Sequence, residues 1–209
     1  WGFQDDCCAV GLVLAAAKAM LDIGFEPEND IVFCLHGAEE WGSSYTQFDW
    51  TVGAWEMINT LHPEWVGKTL AFLNFELPAY EFATYTTTYS APEMFSLLRD
   101  FTTRYPYAPK PQGCFPDGVL TEGYQTYTYS DDFSYYAAGV PSTVNGFLLQ
   151  KDMEHVHPFY IDYYHTQYDT PDTYNDAVMA FNLRYYGALA IYIDQMPALQ
   201  LDFTAQYTR

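Results

Sequence analysis

Ile31-Val32-Phe33-Cys34-Leu35-His36-Gly37-Ala38-Glu39-Glu40-Trp41-Gly42-Ser43 joins a short apolar run to a glycine-bearing turn with two adjacent carboxylates. The run 31–35 is almost continuously apolar, the pattern of a strand buried on both faces of a parallel sheet. Ser43 or Ser44 can cap a helix running towards Leu61, so the stretch predicts strand, turn and helix in succession. Adjacent acids at a strand's carboxyl end point in different directions, so one can hold a metal while the other handles a proton. Acids in a first helical turn also complement the helix dipole, so the pair alone fits either purpose.

The same alternation continues on both sides. Upstream, residues 9–23 (AVGLVLAAAKAMLDI) are strong helix formers, apolar on nearly every face, as suits a helix buried against a sheet. Downstream, residues 69–75 (TLAFLNF) read as a second buried strand ending at Glu76, and residues 85–89 as a short Thr- and Tyr-rich strand. Pro92 starts a helix to about Thr103. Residues 105–123 hold four prolines and three glycines and read as a long loop of the kind that shapes binding surfaces. A short helix over 131–138, a strand to about Leu149, an irregular stretch over 151–173 and a long helix over 175–196 complete the chain. Strands alternating with helices predict an α/β fold around a largely parallel sheet.

At 209 residues and 49% hydrophobic content, the chain is long enough for one sizeable core and short for two, so residues 1–209 are expected to form a single domain. A formal charge of −19 with only 8 Lys and Arg argues against nucleic acid or an anionic membrane as partner. It fits solubility, or affinity for cations. No apolar run approaches the roughly 20 residues that span a bilayer, and no signal peptide opens the chain. Trp1, in place of a starting Met, reads as an internal cut. Cys7, Cys8, Cys34 and Cys114 form no zinc-knuckle spacing, and Cys34 reads as a small buried hydrophobe.

Asp5, Glu39-Glu40 and Glu76 all fall where an open α/β sheet places its ligands, beyond strand ends or at helix entries. Gathering them in one cleft would be costly without a cation, so they predict a divalent metal, with His165 the best histidine donor.

In order, GFQDDCCAVG (2–11), HGAEEWGSS (36–44), LNFE (73–76), SDDFSYYAAGVP (130–141) and YHTQYDTPD (164–172) resemble the motif blocks of the M28 zinc peptidases. That family includes aminopeptidases and glutamate carboxypeptidase-like enzymes. The resemblance implies a three-layer α/β/α zinc-exopeptidase-like domain with a mixed, mostly parallel sheet. It makes Asp5 the carboxylate bridging two zinc ions. Glu40 and His165 would complete the first zinc site, Glu76 would bind the second ion, and Glu39 would be the general base. Tyr164 occupies the place from which some members donate a hydrogen bond to the developing oxyanion. Glu76 stands where the family usually has Asp. Asp131 matches the acid of the SDHxxF block, but Asp132 replaces its histidine, so that block reads as structural. His36, His62, His155 and His157 receive no ligand role.

The family's first zinc ligand is a histidine in an HxD block just before the GFQDD loop, and no such block precedes Gly2. The chain therefore reads as truncated at its N-terminus, with early strands missing, an edge unpaired and a segment of the same polypeptide as partner. One complete zinc ligand set, Asp5, Glu40 and His165, is the minimal expectation. The block after the GVP turn (residues 139–146) lacks arginine, which disfavours acidic C-terminal substrates. An acidic cleft suits the protonated amine of a peptide, so an aminopeptidase is the leading expectation. A single-zinc glutaminyl cyclase-like enzyme and a catalytically silent binding module are the alternatives. Kinship also implies a secreted, periplasmic or surface-attached protein.

Overall fold

The structure, a computed structural model, describes residues 2–42, 50–81, 83, 85–105, 114–115, 118–120, 130–148, 159–198 and 200–206. Among these lie five α-helices: α1 (Cys8–Asp22), α2 (Val52–Glu56), α3 (Phe95–Arg104), α4 (Asp131–Ala137) and α5 (Asp176–Asp194). Four strands, β1 (Phe72–Asn74), β2 (Tyr85–Ser90), β3 (Gly118–Leu120) and β4 (Ser142–Leu148), form one sheet in the order β1-β4-β2-β3. β1 runs parallel to β4 and β2 parallel to β3, while β2 and β4 are antiparallel. The sheet is therefore mixed, with two of its three pairings parallel.

Period-two alternation along β1 divides its side chains between two helical layers. Leu73 joins the larger core, where α3 supplies Leu97, Leu98 and Phe101, and α5 supplies Phe181, Tyr185 and Leu189. Phe72 joins a smaller core on the other face with Ala54 and Ile58 from the α2 side and Tyr135 of α4. The Phe72 and Tyr135 rings stack with centroids 3.8 Å apart. Helices on both faces of a mixed sheet make this a three-layer α/β fold. Asn175 caps α5, its Oδ1 accepting from the N–H groups of Ala177 and Val178.

Two expectations are overturned. Residues 31–35 form no strand: they are irregular, with Val32 60%, Phe33 41% and Leu35 54% exposed. The expected long loop over 105–123 contains β3, which pairs with β2. A third expectation holds only in part. Of α1, Cys8, Ala9 and Leu12 are buried, whereas Leu14 and Leu21 are exposed, because α1 packs on α5 but not closely on the sheet. Between α1, the segment 29–40, β1 and α5 lies a cavity of about 820 Å³, to which Val13, Val32, Cys34 and Leu73 contribute. Ladder geometry turns Phe72 and Asn74 towards β4 and the backbone groups of Ala71, Leu73 and Phe75 towards this cavity. A strand needs a neighbour to complete its hydrogen bonds, and residues 31–35 face the cavity where a neighbour would lie. The capping expectation for Ser43 and Ser44 lies outside the described residues.

Urea unfolding tests this arrangement. Leu98→Ala, at a fully buried site, should cost about 2–5 kcal/mol, whereas Val32→Ser should change stability by no more than about 0.5 kcal/mol. A comparable loss from both would mean that 31–35 is packed in the folded chain.

Candidate metal centre

Asp5 is presented by a tight turn, Phe3–Cys7, entered through Gly2 in the left-handed region and containing a cis peptide between Asp5 and Asp6. The carboxylate of the buried Asp169 holds this turn. Its Oδ1 accepts the Gln4 N–H and its Oδ2 the Asp5 N–H, both at 3.0 Å. The buried Gln4 side chain donates to the carbonyl and hydroxyl oxygens of Thr173, each at 3.0 Å. These bonds lock Asp5 to the segment that carries His165. There, His165 Nε2 lies 3.0 Å from Asp5 Oδ2 and 2.8 Å from Glu40 Oε1. One donor atom from each of Asp5, Glu40 and His165 falls within 4.8 Å of the other two.

The Glu39-Glu40 turn is held from the opposite side. Thr51 N–H donates to the Glu39 carbonyl at 2.7 Å and Val52 N–H to the Trp41 carbonyl at 2.9 Å. The Trp50 indole donates to Glu39 Oε1 at 2.9 Å. Gly53 is required here: a Cβ on it would stand 1.8 Å from the Gly37 carbonyl oxygen. Glu76 follows β1, its backbone fixed by a reciprocal pair with Asn145 of β4: Glu76 N–H to Oδ1 and Asn145 Nδ2–H to the Glu76 carbonyl, both 2.7 Å. The Ser130 hydroxyl donates to Glu76 Oε1, and Leu77 N–H donates to Asp6 Oδ1 at 3.2 Å.

Among the described non-glycine residues, Ala38, Thr51, Leu77, Phe115 and His165 have positive φ. Four of these five flank or belong to this cluster. Left-handed backbone at non-glycine residues costs roughly 1–3 kcal/mol each and concentrates at functional sites.

Burial and crowding push these acids upward. Burial raises Asp5, His165 opposes it, and Glu40 and Asp169 add to the rise. Asp6 stands well above the usual range because it is buried beside Glu76. Glu76 is also held well above it, by burial against the opposing Ser130 bond, with Glu39 and Asp5 repelling it. Glu39 is pushed up to about 8, mainly by burial; the Trp50 bond opposes this, and Asp131, Glu40 and Asp5 add to it. Tyr164 stacks on His165 with centroids 3.8 Å apart, and burial together with the four surrounding acids keeps its phenol protonated.

Two carboxylate oxygens and one imidazole nitrogen converging in this way fit a zinc ion with an open position. All six residues singled out from sequence thus lie together: Asp5, Glu40 and His165 as the converging donors, Glu39 and Tyr164 beside them, Glu76 on the far side with Asp6 and Ser130. His62 lies apart, exposed, paired with Glu64 at 2.9 Å and stacked on Trp65. His155 and His157 fall outside the described residues. Sequence reasoning passed over Trp50, Asp169, Ser130 and His36. Asp169 and Ser130 sit inside quoted motif blocks, a signal that was available; Trp50 carried none.

The sequence profile of peptidase family M28 matches residues 2–186. Among curated protein sequences none matches the chain. Solved structures that resemble it include the aminopeptidase from Aneurinibacillus sp. strain AM-1 (19% identity, TM-score 0.68, covering 96% of this chain and 42% of that one). A zinc aminopeptidase from Bacillus subtilis gives 16% identity and a TM-score of 0.70, covering 97% of this chain and 45% of its own. The Legionella pneumophila LapA aminopeptidase gives 18%, 0.68, 94% and 48%. The chain thus spans less than half the length of these solved structures.

The raised acids have a consequence for stability. Each binds its proton more tightly when folded than when unfolded, so its contribution is full below pH about 4. That contribution is lost as pH rises through the folded value, about 8 for Glu39. The melting temperature of the metal-free chain should fall between about pH 5 and 8. Added zinc should raise it, more at pH 8 than at pH 5, because ligands bind metal deprotonated. A metal-free melting temperature that rises over this window would contradict the assignment.

Proposed function

Because the chain belongs to peptidase family M28, we propose that residues 1–209 are the N-terminally truncated catalytic domain of a zinc-dependent aminopeptidase. The carrying observation is the convergence of Asp5, Glu40 and His165 with Glu39 next in sequence. Asp5, Glu40 and His165 would hold zinc, which would supply Lewis acidity and lower the pKa of a water towards about 7. Glu39, steadied by Trp50, takes the proton of the attacking water and returns it to the leaving amine. Tyr164, protonated and against His165, donates a hydrogen bond to the oxygen of the scissile carbonyl. The surrounding acids favour a protonated α-amino group, which supports an aminopeptidase acting on peptides.

The cavity beside β1 supports a further part of this reading. An extended apolar segment of the same polypeptide, outside residues 1–209, would fill it as a strand between β1 and residues 31–35 and satisfy both edges. By the family resemblance, that segment would bring a histidine that, with Asp5 and Glu76, could hold a second zinc. No helix among the described residues is long and apolar enough to cross a membrane, and family kinship supports a secreted, periplasmic or surface location.

Residues 1–209 should bind one zinc per chain, lost in His165→Ala and retained in Glu39→Gln. In the full polypeptide containing this domain, Glu39→Gln should lower hydrolysis of aminoacyl-anilides by about 10²–10⁴-fold. Undiminished turnover in that variant would sink the assignment, and cyclisation of glutaminyl peptides instead of hydrolysis would favour the cyclase alternative.

A further inference from the structure

His36 lies three residues before Glu39, in a stretch that forms neither helix nor strand, yet its side chain is only 5% exposed. Both ring nitrogens are engaged by α4. Nδ1 lies 3.0 Å from Asp131 Oδ2, and Nε2 lies 3.1 Å from the Tyr135 hydroxyl. Tyr135 is itself fixed by its stack on Phe72 of β1. The other Asp131 oxygen, Oδ1, is buried without a hydrogen-bond partner. Burial alone would lower the imidazole's affinity for its proton, but the Asp131 bond, with the Cys34 thiol adding to it, prevails and raises it to about 9.

The pair sits at a junction. Ser130, the residue before Asp131, donates to Glu76. Ser134, one turn along α4, exchanges a hydrogen bond with Thr51 at 2.8 Å, and Thr51 in turn holds the Glu39 carbonyl. One short helix therefore grips the Glu76 carboxylate, the downstream flank of the Glu39-Glu40 turn and, through His36, its upstream flank. The close approach of Gly37 to Gly53 and a Cys34–Tyr135 side-chain contact also hold the upstream flank, but it is His36 that reaches Asp131 from it.

We propose that His36 is a positioning residue: by bridging Asp131 and Tyr135 it fixes the Glu39-Glu40 turn where Glu40 meets Asp5 and His165. This rests on the metal-centre reading above. Its role is to set ligand geometry, and it touches neither metal nor substrate. His36 bonds Asp131 and Tyr135 and acts on Glu40 through the four-residue step of chain between them. Groups bonded directly to a ligand govern metal affinity by about 10- to 100-fold, and a residue acting through the chain belongs at the low end of that range.

The test uses Co²⁺ in place of zinc, reading affinity by chelator competition and ligand geometry by the visible absorption band, with circular dichroism of the metal-free chain as the folding control. His36→Phe keeps a ring and loses both hydrogen bonds. It should fold, bind Co²⁺ about 10-fold more weakly and show an altered band. His36→Asn, whose amide can replace Nδ1 towards Asp131, should recover most of the affinity. Tyr135→Phe, which keeps the stack and removes one hydroxyl, should weaken binding by a few-fold and serves where His36→Phe does not fold. Unchanged affinity and band in folded His36→Phe or in Tyr135→Phe would overturn the proposal, as would Asn no better than Phe. Failure of the unaltered chain to bind Co²⁺ would instead refute the metal-centre reading.

Discussion

Five carboxyl groups, those of Asp5, Asp6, Glu39, Glu40 and Glu76, share one cleft, and their mutual repulsion is the constraint around which the fold is organised. Like charges this close and partly buried cannot all ionise without a cation. Burial first, and the neighbouring charges after it, make Asp5, Asp6, Glu39 and Glu76 hold their protons above the usual carboxylate range, Asp6 and Glu76 well above it. Positions this unfavourable persist only where the surroundings over-determine them. Asp169 pins the turn before Asp5, Trp50 and Thr51 pin Glu39, and Asn145 pins Glu76. The opposing stabilisation comes from the apolar core that α3, α5 and Leu73 of the sheet build, which reaches the cleft at Leu77 and Tyr164. A divalent cation in the cleft would turn repulsion into cohesion.

β4 holds this arrangement in register. It lies between β1 and β2, parallel to one and antiparallel to the other, so it ties the half of the sheet that ends in Glu76 to the half formed by β2 and β3. Asn145 sits in its middle and reaches sideways to the Glu76 backbone. α4 leads into β4 through a tight turn at Gly139, so the helix that touches Ser130, Asp131 and Ser134 partners is rigidly linked to the strand that fixes Glu76.

Much of this was legible in the sequence where the signal was local. The helix α1 announced itself by propensity and α3 by its leading proline, and α4 and α5 fall where the sequence places a short and a long helix. Asp5, Glu39-Glu40, Glu76 and His165 lay in compact blocks whose order was informative. What was not legible depends on distant partners. Residues 31–35 have a strand's composition but no described neighbour to pair with, and strand preference is realised only in a sheet. β3, three residues long among prolines and glycines, exists because β2 offers an edge. His36 looked unremarkable because its partner Asp131 is 95 residues away. Asp169 anchors a residue 164 positions before it.

The cavity beside β1 also bears on how the chain behaves among its own kind. An edge strand with unsatisfied backbone groups, bordered by exposed Val32, Phe33 and Leu35, is a template on which another chain could pair. Opposing that is the formal charge of −19, which keeps like molecules apart at long range. The two effects respond differently to salt: ionic strength shortens the reach of the repulsion, from about 10 Å at 0.1 M to about 3 Å at 1 M, and leaves the apolar attraction in place. The acidity that would draw a cation into the cleft is thus also a colloidal protection, and the protection weakens as salt is added.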